Sequence, residues 1–164
     1  MAKFKVGTGI EQYVKSLETL EKATSDMIGK AIYNGADVVA DAVRSAIQAV
    51  PIESSKAAAA AGTMVSGLSA AQKGGLLSGL GVSHMQSDGG LYNVKVGFDG
   101  YNTIKTKRWP NGQPNSMIAR SMESGTSFRA KNPVISKATR AVKEKAERVM
   151  AETLDREIEA RINF

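Results

Sequence analysis

The chain contains no cysteine, so neither disulfide bonds nor thiolate-bound metal ions can stabilise its fold. It has one histidine and four prolines, and aromatic residues make up 5% of its length. A domain of 164 residues nevertheless buries about 68–70% of the surface that its unfolded chain exposes. We therefore predict a single domain, residues 1–164, whose stability depends on side-chain packing alone.

Long hydrophobic runs are missing too. No segment approaches the roughly 20 apolar residues that cross a bilayer. The first residues, Met-Ala-Lys-Phe-Lys-Val-Gly, lack the apolar centre of a signal peptide. We expect a protein with no membrane partner that is not exported by a standard signal.

The residue patterns that catalysis requires are also missing. Ser78 lacks the spacing of a nucleophile elbow, and Lys73-Gly74-Gly75 has the wrong order for a phosphate loop. Asp37 and Asp41 have the four-residue spacing of a solvated helix face. His84 falls inside a predicted strand, and no second histidine exists to complete a metal site, so we predict a structural role for it. We predict that the protein is not an enzyme and needs no cofactor or metal.

The formal net charge is +6, and the excess lies between Lys105 and Arg148. Such a segment can attract phosphate or an acidic protein face, although many charge runs are only solvated surface. Trp109 adds a ring that could stack on a base. One interpretation is therefore a nonspecific DNA-binding or DNA-packaging accessory protein. The residues of this predicted partner-facing basic segment are Lys105, Lys107, Arg108, Arg129 and Lys131.

Apolar periodicity near the start predicts an N-terminal helical pair. Thr8 and Glu11 have capping-box spacing, and Ser25 or Asp26 could cap a second helix that ends at Pro51. This second helix is apolar around more of its circumference than a surface helix requires. It is either a central helix covered by its own domain or part of a subunit interface. The residues off its main stripe are Met27, Val38 and Ile47.

Residues 54–75 are rich in alanine, glycine and serine and offer few large side chains for packing. We predict a flexible arm or inserted loop, with a short helix at residues 56–61 as an open alternative. Beyond it, period-two patterning on both sides of Asp88-Gly89-Gly90 predicts a β-hairpin in a small antiparallel sheet. Residues 101–104 could add a third strand.

Two further helices are predicted near the end of the chain. A short one begins at Asn115 or Ser116 and stops at Gly125. A long one begins at Asn132-Pro133, with Asn132 as its N-cap, and extends to Ile162, roughly 43 Å at 1.5 Å per residue. Helices and a small sheet together predict the α+β class.

Several short motifs occur in a fixed order along the chain. They are the helical pair ending at Pro51, Leu76-Leu77-Ser78-Gly79-Leu80, Val96-Gly97-Phe98-Asp99-Gly100, Glu123-Ser124-Gly125-Thr126, and the helix led by Pro133. In this order they resemble a family of tail-component proteins of long-tailed bacteriophages, typified by the tenth gene product of a lambdoid phage and related to head–tail joining (tail completion) proteins. The insert at 54–75 departs from the family pattern.

The resemblance implies a structural virion protein of the phage neck and tail, assembled in the host cytoplasm, which catalyses no reaction. It would form a homo-oligomeric ring, expected to be a hexamer, that joins or completes the tail at the head–tail junction. Its partners would be the head-side connector and tail tube proteins, with nonspecific contact to transiting DNA. The predicted subunit-interface residues are Met27, Val38, Ile47, Leu154 and Ile158.

Overall fold

A computed structural model describes residues 8–89 and 91–162. Within them the helices are α1 (Thr8–Ala49), α2 (Ser55–Ala60), α3 (Ala70–Gly79), α4 (Asn115–Ser124) and α5 (Val134–Ile162). The strands are β1 (Leu80–Val82), β2 (Gln86–Asp88), β3 (Leu91–Asn93) and β4 (Val96–Phe98). They form two antiparallel pairs, β1–β4 and β2–β3. The predicted α+β class is confirmed.

Helix α1 covers both predicted N-terminal segments in one run of 42 residues. The sequence predicted a boundary at Ser25 or Asp26, but the helix passes through both, and both are exposed. A polar residue inside a helix costs no more than about 0.7 kcal/mol relative to alanine, so a capping residue without a breaker does not end a helix. The helix stops before Pro51 as predicted. At this end of the helix, the Lys73 ammonium donates hydrogen bonds to the Gln48 and Val50 carbonyl oxygens at 2.6 and 2.8 Å.

Helices α1 and α5 pack antiparallel. The Lys30 ammonium lies 3.0 Å from a Glu157 carboxylate oxygen, and Asn34 Nδ2 donates to Thr153 Oγ1 at 3.1 Å. Hydrogen bonds from Lys30 and then from Arg161 lower the pKa of Glu157. Later residues of α1 contact earlier residues of α5, so α5 runs back along the side of α1.

The core lies at the C-terminal half of α1, where α3, α4 and the β1–β4 pair meet it. Leu68, Leu76 and Met122 have no exposed surface. The residues of this core cluster are Val43, Ile47, Val50, Leu68, Leu76, Leu80, Ile118, Ala119 and Met122.

The predicted hairpin is confirmed. Asp88 pairs with Leu91 at its tip, where Gly89 has a positive φ of 57°. Leu80 pairs with Phe98 at its base. Between the two ladders, residues 83–85 lie opposite residues 94–95, and strand pairing is interrupted there. The third strand proposed for residues 101–104 is absent from the described structure, which has only an isolated bridge between Tyr101 and Pro114.

The segment at 54–75, predicted to be an arm or loop, packs against the core. Val65 and Leu68 are buried, and parallel bridges join Ile52 to Leu68 and Val65 to Arg129. The Val65 and Leu68 side chains turn inward, and backbone pairing holds the rest of the segment in place. The optional short helix is present as α2.

Helix α3 was not predicted, although its N-terminus carries a capping box between Ser69 and Gln72. Two of its glycines, Gly75 and Gly79, allow a close approach of other segments. A Cβ built on Gly75 would lie 2.5 Å from Asn115 Oδ1 and 2.7 Å from Asn102 Cβ. Glycine here serves packing and does not loosen the chain.

Helices α4 and α5 are both present as predicted, but the cap of α5 differs. Gly125 ends α4 with a φ of 75°. The Glu123 carboxylate then accepts hydrogen bonds from the Ile135 and Ser136 amides at 2.7 and 3.2 Å. An acid from the preceding helix therefore satisfies the free amides of α5, where the sequence predicted Asn132.

Adjacent glycines in α3 should respond to alanine in opposite ways. Gly75→Ala should lower the free energy of unfolding by about 1–3 kcal/mol, because its Cβ collides with Asn102 and Asn115. Gly74→Ala should raise it by about 0.5–1 kcal/mol, because nothing lies within 4 Å of the added atom and alanine favours helix. Urea unfolding followed by circular dichroism measures both. Equal effects of the two changes would contradict the packing described for α3.

Candidate interaction surface

The residues between Tyr101 and Pro114 form a loop whose base is closed by hydrogen bonds. Asn102, which is buried, donates its amide to the Gln113 carbonyl at 2.9 Å. Its side-chain oxygen accepts from the Ile104 amide at 2.9 Å and from the Gln113 amide at 3.3 Å. The loop is therefore held at a fixed place on the fold.

The tip of this loop is a tight two-residue turn. The Thr106 amide donates to the Trp109 carbonyl at 3.1 Å, and the Trp109 amide donates to the Thr106 carbonyl at 3.0 Å. Lys107 and Arg108 occupy the two positions between them. The Arg108 guanidinium lies 5.6 Å from the centre of the Trp109 ring, within cation–π range. We call residues 105–109 the basic tip.

The basic tip carries no compensating negative charge. Between Gly100 and Met122 the sequence has no aspartate or glutamate. Lys105, Lys107 and Arg108 are exposed, and the ion pairs of the described residues include none of them. The structure thus groups three of the predicted partner-facing cations at one projecting turn.

The burial of Arg129 contradicts the prediction that this residue faces a partner, because only 4% of its surface is exposed. One guanidinium nitrogen donates to the Gly67 carbonyl and the other to Gln72 Oε1 at 3.0 Å. Burial lowers the pKa of Arg129, and the Glu53 charge opposes that effect. Arg129 joins segment 126–132 to segment 65–72 and does not face outward.

Arg129 is connected to the base of the loop through Gln72. Gln72 Nε2 donates to Gln113 Oε1 at 3.3 Å, and the same oxygen accepts a 3.4 Å contact from Asn102 Nδ2. Gln72 and Gln113 were not among the residues predicted to belong to a site. The capping box at Ser69 could have located Gln72, but its contacts join residues far apart in the chain. Lys131, the remaining predicted cation, is exposed on segment 126–132.

Glu53 holds the turn next to Arg129. Its carboxylate accepts from the Gly67 amide at 2.6 Å, and from the Ser66 amide and hydroxyl at 2.8 and 3.0 Å. The bonds from Gly67 and Ser66 lower the pKa of Glu53, with a smaller contribution from the Arg129 charge. The carboxylate therefore favours its ionised form in the folded state.

Two exposed apolar side chains lie next to the bridge that joins these segments. The isolated parallel bridge pairs Val65 with Arg129, both of which are buried, and the residues that precede them, Met64 and Phe128, are exposed. Met64 is 48% exposed and Phe128 is 64% exposed. We call these two residues the apolar pair. Sequence patterns do not indicate that these two residues are exposed, because neither belongs to a periodic run.

The predicted subunit-interface residues fall into two groups. Met27 and Ile47 are 4% and 0% exposed within their own chain, which corrects their assignment to an interface. Apolar periodicity reports burial but not whether the covering atoms belong to the same chain. Val38, Leu154 and Ile158 are half-buried and keep part of their surface in contact with solvent.

No set of three or more metal-ligating side chains is grouped in the part of the chain that the structure describes. His84 is exposed and lies between β1 and β2, outside the strand in which it was predicted. Among residues 8–89 and 91–162, no helix has the length and apolar character that crossing a bilayer requires.

Comparisons of the chain with models of protein families, with curated proteins and with solved structures found no match.

Removing the buried guanidinium should destabilise the fold. Arg129→Met leaves the Gly67 carbonyl without the guanidinium donor and leaves Gln72 Oε1 with the Ser69 amide as its donor, so we expect a loss of about 1–3 kcal/mol in urea unfolding. Arg120→Met on α4 is the matched control, because Arg120 is exposed and its replacement should change stability by less than about 0.5 kcal/mol. An Arg129→Met protein as stable as the control would show that Arg129 does not support these segments.

Glu53 should contribute stability only above acidic pH. Because folding lowers its pKa from the ordinary value of 4.5, its contribution is complete above the unfolded pKa and is lost as pH falls through the lower folded value. The difference in unfolding free energy between the parent protein and Glu53→Gln should therefore be larger at pH 7 than at pH 3. Urea titrations at the two pH values measure it. A difference that grows on acidification would contradict the assigned contacts.

Proposed function

We propose that this protein is a structural subunit of the phage neck or tail, which assembles as a homo-oligomeric ring to join or complete the tail at the head–tail junction. The order of elements supports this proposal. A helix ending before Pro51, a hairpin, a glycine-terminated helix and a long closing helix follow one another as the resemblance implies.

The motifs that carry the resemblance have structural roles in this chain. Glu123 caps α5, Gly125 ends α4, and the Thr126 amide donates to the Arg129 carbonyl at 2.9 Å. These residues shape a connector between two helices and bring no reactive groups together. The proposal accordingly assigns the chain a role in assembly and no chemical step.

The observation that carries the proposal is the apolar pair. Large apolar side chains that are exposed beside a fixed backbone bridge are typical of contact surfaces, because leaving them in water forgoes the gain from their burial. Met64 and Phe128 each precede a buried residue of the bridge between Val65 and Arg129.

A closed ring needs two different surfaces on every copy, each complementary to the other. We assign one to the apolar pair and the second to the half-buried residues Val38, Leu154 and Ile158 of the α1–α5 pair. The head-side connector and the tail tube would contact the remaining surfaces. Ring number is expected to be six.

Replacing the apolar pair should weaken assembly without unfolding the chain. Met64→Ser/Phe128→Ser should shift the protein from oligomer to monomer in native mass spectrometry and leave unjoined heads and tails in electron micrographs of particles made with it. Leu91→Ser is the matched control, because Leu91 is 76% exposed at the distant hairpin tip, and it should assemble normally. A parent protein that is monomeric at all concentrations, or antibody label away from the head–tail junction, would refute the proposal.

A further inference from the structure

We propose that the basic tip, residues 105–109, binds the phosphate backbone of duplex DNA without sequence preference. The inference goes beyond the proposed function, since it concerns the isolated protein and holds whether or not the protein forms a ring.

The turn fixes two adjacent cations at its outermost positions. The reciprocal hydrogen bonds between Thr106 and Trp109 leave Lys107 and Arg108 as the only residues between the paired positions. The Thr106 hydroxyl accepts a further bond from the Trp109 amide at 3.1 Å. The two like charges repel each other in the free protein. Binding of an anion with closely spaced negative charges offsets that repulsion.

The base of the loop keeps this turn in place. Asn102, 4% exposed, accepts two backbone hydrogen bonds and donates one from its own amide. Gly112 has a φ of 109° and approaches the Asn102 carbonyl so closely that a Cβ there would collide with it. Binding an anion at the tip therefore orders little additional backbone, which lowers the entropy cost of association.

The role of Trp109 favours a phosphate backbone over single-stranded bases. The indole is half-buried and one of its faces is covered by the Arg108 guanidinium at 5.6 Å. A stacked base would compete with that contact, whereas a phosphate can bind the outer edge of the guanidinium while the ring supports it. The ring thus orients Arg108.

Duplex DNA also fits better than an acidic protein face. Three cations, Lys105, Lys107 and Arg108, are exposed within four residues and have no nearby carboxylate in the sequence from 100 to 122. A phosphate backbone presents charge at a regular, dense spacing along its whole length, so every cation of the turn can find a partner in any register. The turn offers no helix or strand for a groove, so it should read no bases.

The test is binding of the full chain to two fluorescent 20-base-pair duplexes of unrelated sequence, measured by anisotropy at several salt concentrations. Both duplexes should bind equally, with a slope of log affinity against log salt of about −3 for three neutralised phosphates. The triple variant Lys105→Ala/Lys107→Ala/Arg108→Ala should lose about tenfold or more in affinity and most of that slope.

The matched control removes the same charge from another surface. Lys137→Ala/Arg140→Ala/Lys145→Ala changes three exposed cations of α5 that belong to none of the ion pairs of the described residues. It should retain DNA affinity to within about threefold, because the tip is intact. Equal losses in the two triple variants would mean that net charge alone binds DNA and would overturn the inference.

Two further results would also overturn it. If the parent protein binds polyglutamate of matched charge at least as tightly as the duplex, and the tip variant loses that binding, the surface fits an acidic protein. If neither duplex binds, the tip has no DNA role. Should the triple variant fail to fold by circular dichroism, Lys107→Gln replaces it, with an expected change in slope of about one. A ring that assembles without DNA binding would leave the proposed function intact.

Discussion

The buried guanidinium of Arg129 is the interaction on which the irregular half of the fold depends. It binds the Gly67 carbonyl and Gln72 side chain, beside a turn whose amides are held by Glu53. A buried charge is costly unless hydrogen bonds compensate for it, and one nitrogen of Arg129, Nε, has no such partner. These hydrogen bonds fix the segments at 51–68 and 126–132 to each other and to α3. The two segments contain little regular structure of their own. Through Gln72 and Gln113 the same network reaches the base of the loop that carries the basic tip.

The elements that the sequence predicted are those encoded by neighbouring residues. The Asp-Gly-Gly turn, the glycine that ends α4 and the proline before α5 each act within a few positions, so the hairpin and both helices follow from local patterns. Burial of Arg129 could not be predicted in this way, because its partners lie 62 and 57 positions away. An arginine in a basic run is ordinarily solvated, and only the tertiary fold shows that this one is enclosed. The packing of the alanine- and glycine-rich segment 54–75 could not be predicted for the same reason, since Leu68 becomes buried through pairing with backbone outside its own local run.

The features of the candidate surface also divide into those that local sequence predicts and those that depend on the tertiary fold. The exposure of Lys105, Lys107 and Arg108 could be predicted, because no acid lies nearby in the sequence. Their arrangement on one tight turn could not, because it requires Thr106 to pair with Trp109 and Asn102 to pair with Gln113. For Met27 and Ile47 the apolar pattern correctly indicated burial. It could not distinguish a side chain covered by its own domain from one covered by a neighbouring copy.

One carboxylate links the end of helix α4 to the start of helix α5. Glu123 belongs to the last turn of α4 yet accepts hydrogen bonds from the first amides of α5. If the last turn of α4 frays, the Ile135 and Ser136 amides lose their acceptor, so we expect the first turn of α5 to open with it. Exchange of these two amides would then depend on a helix to which they do not belong.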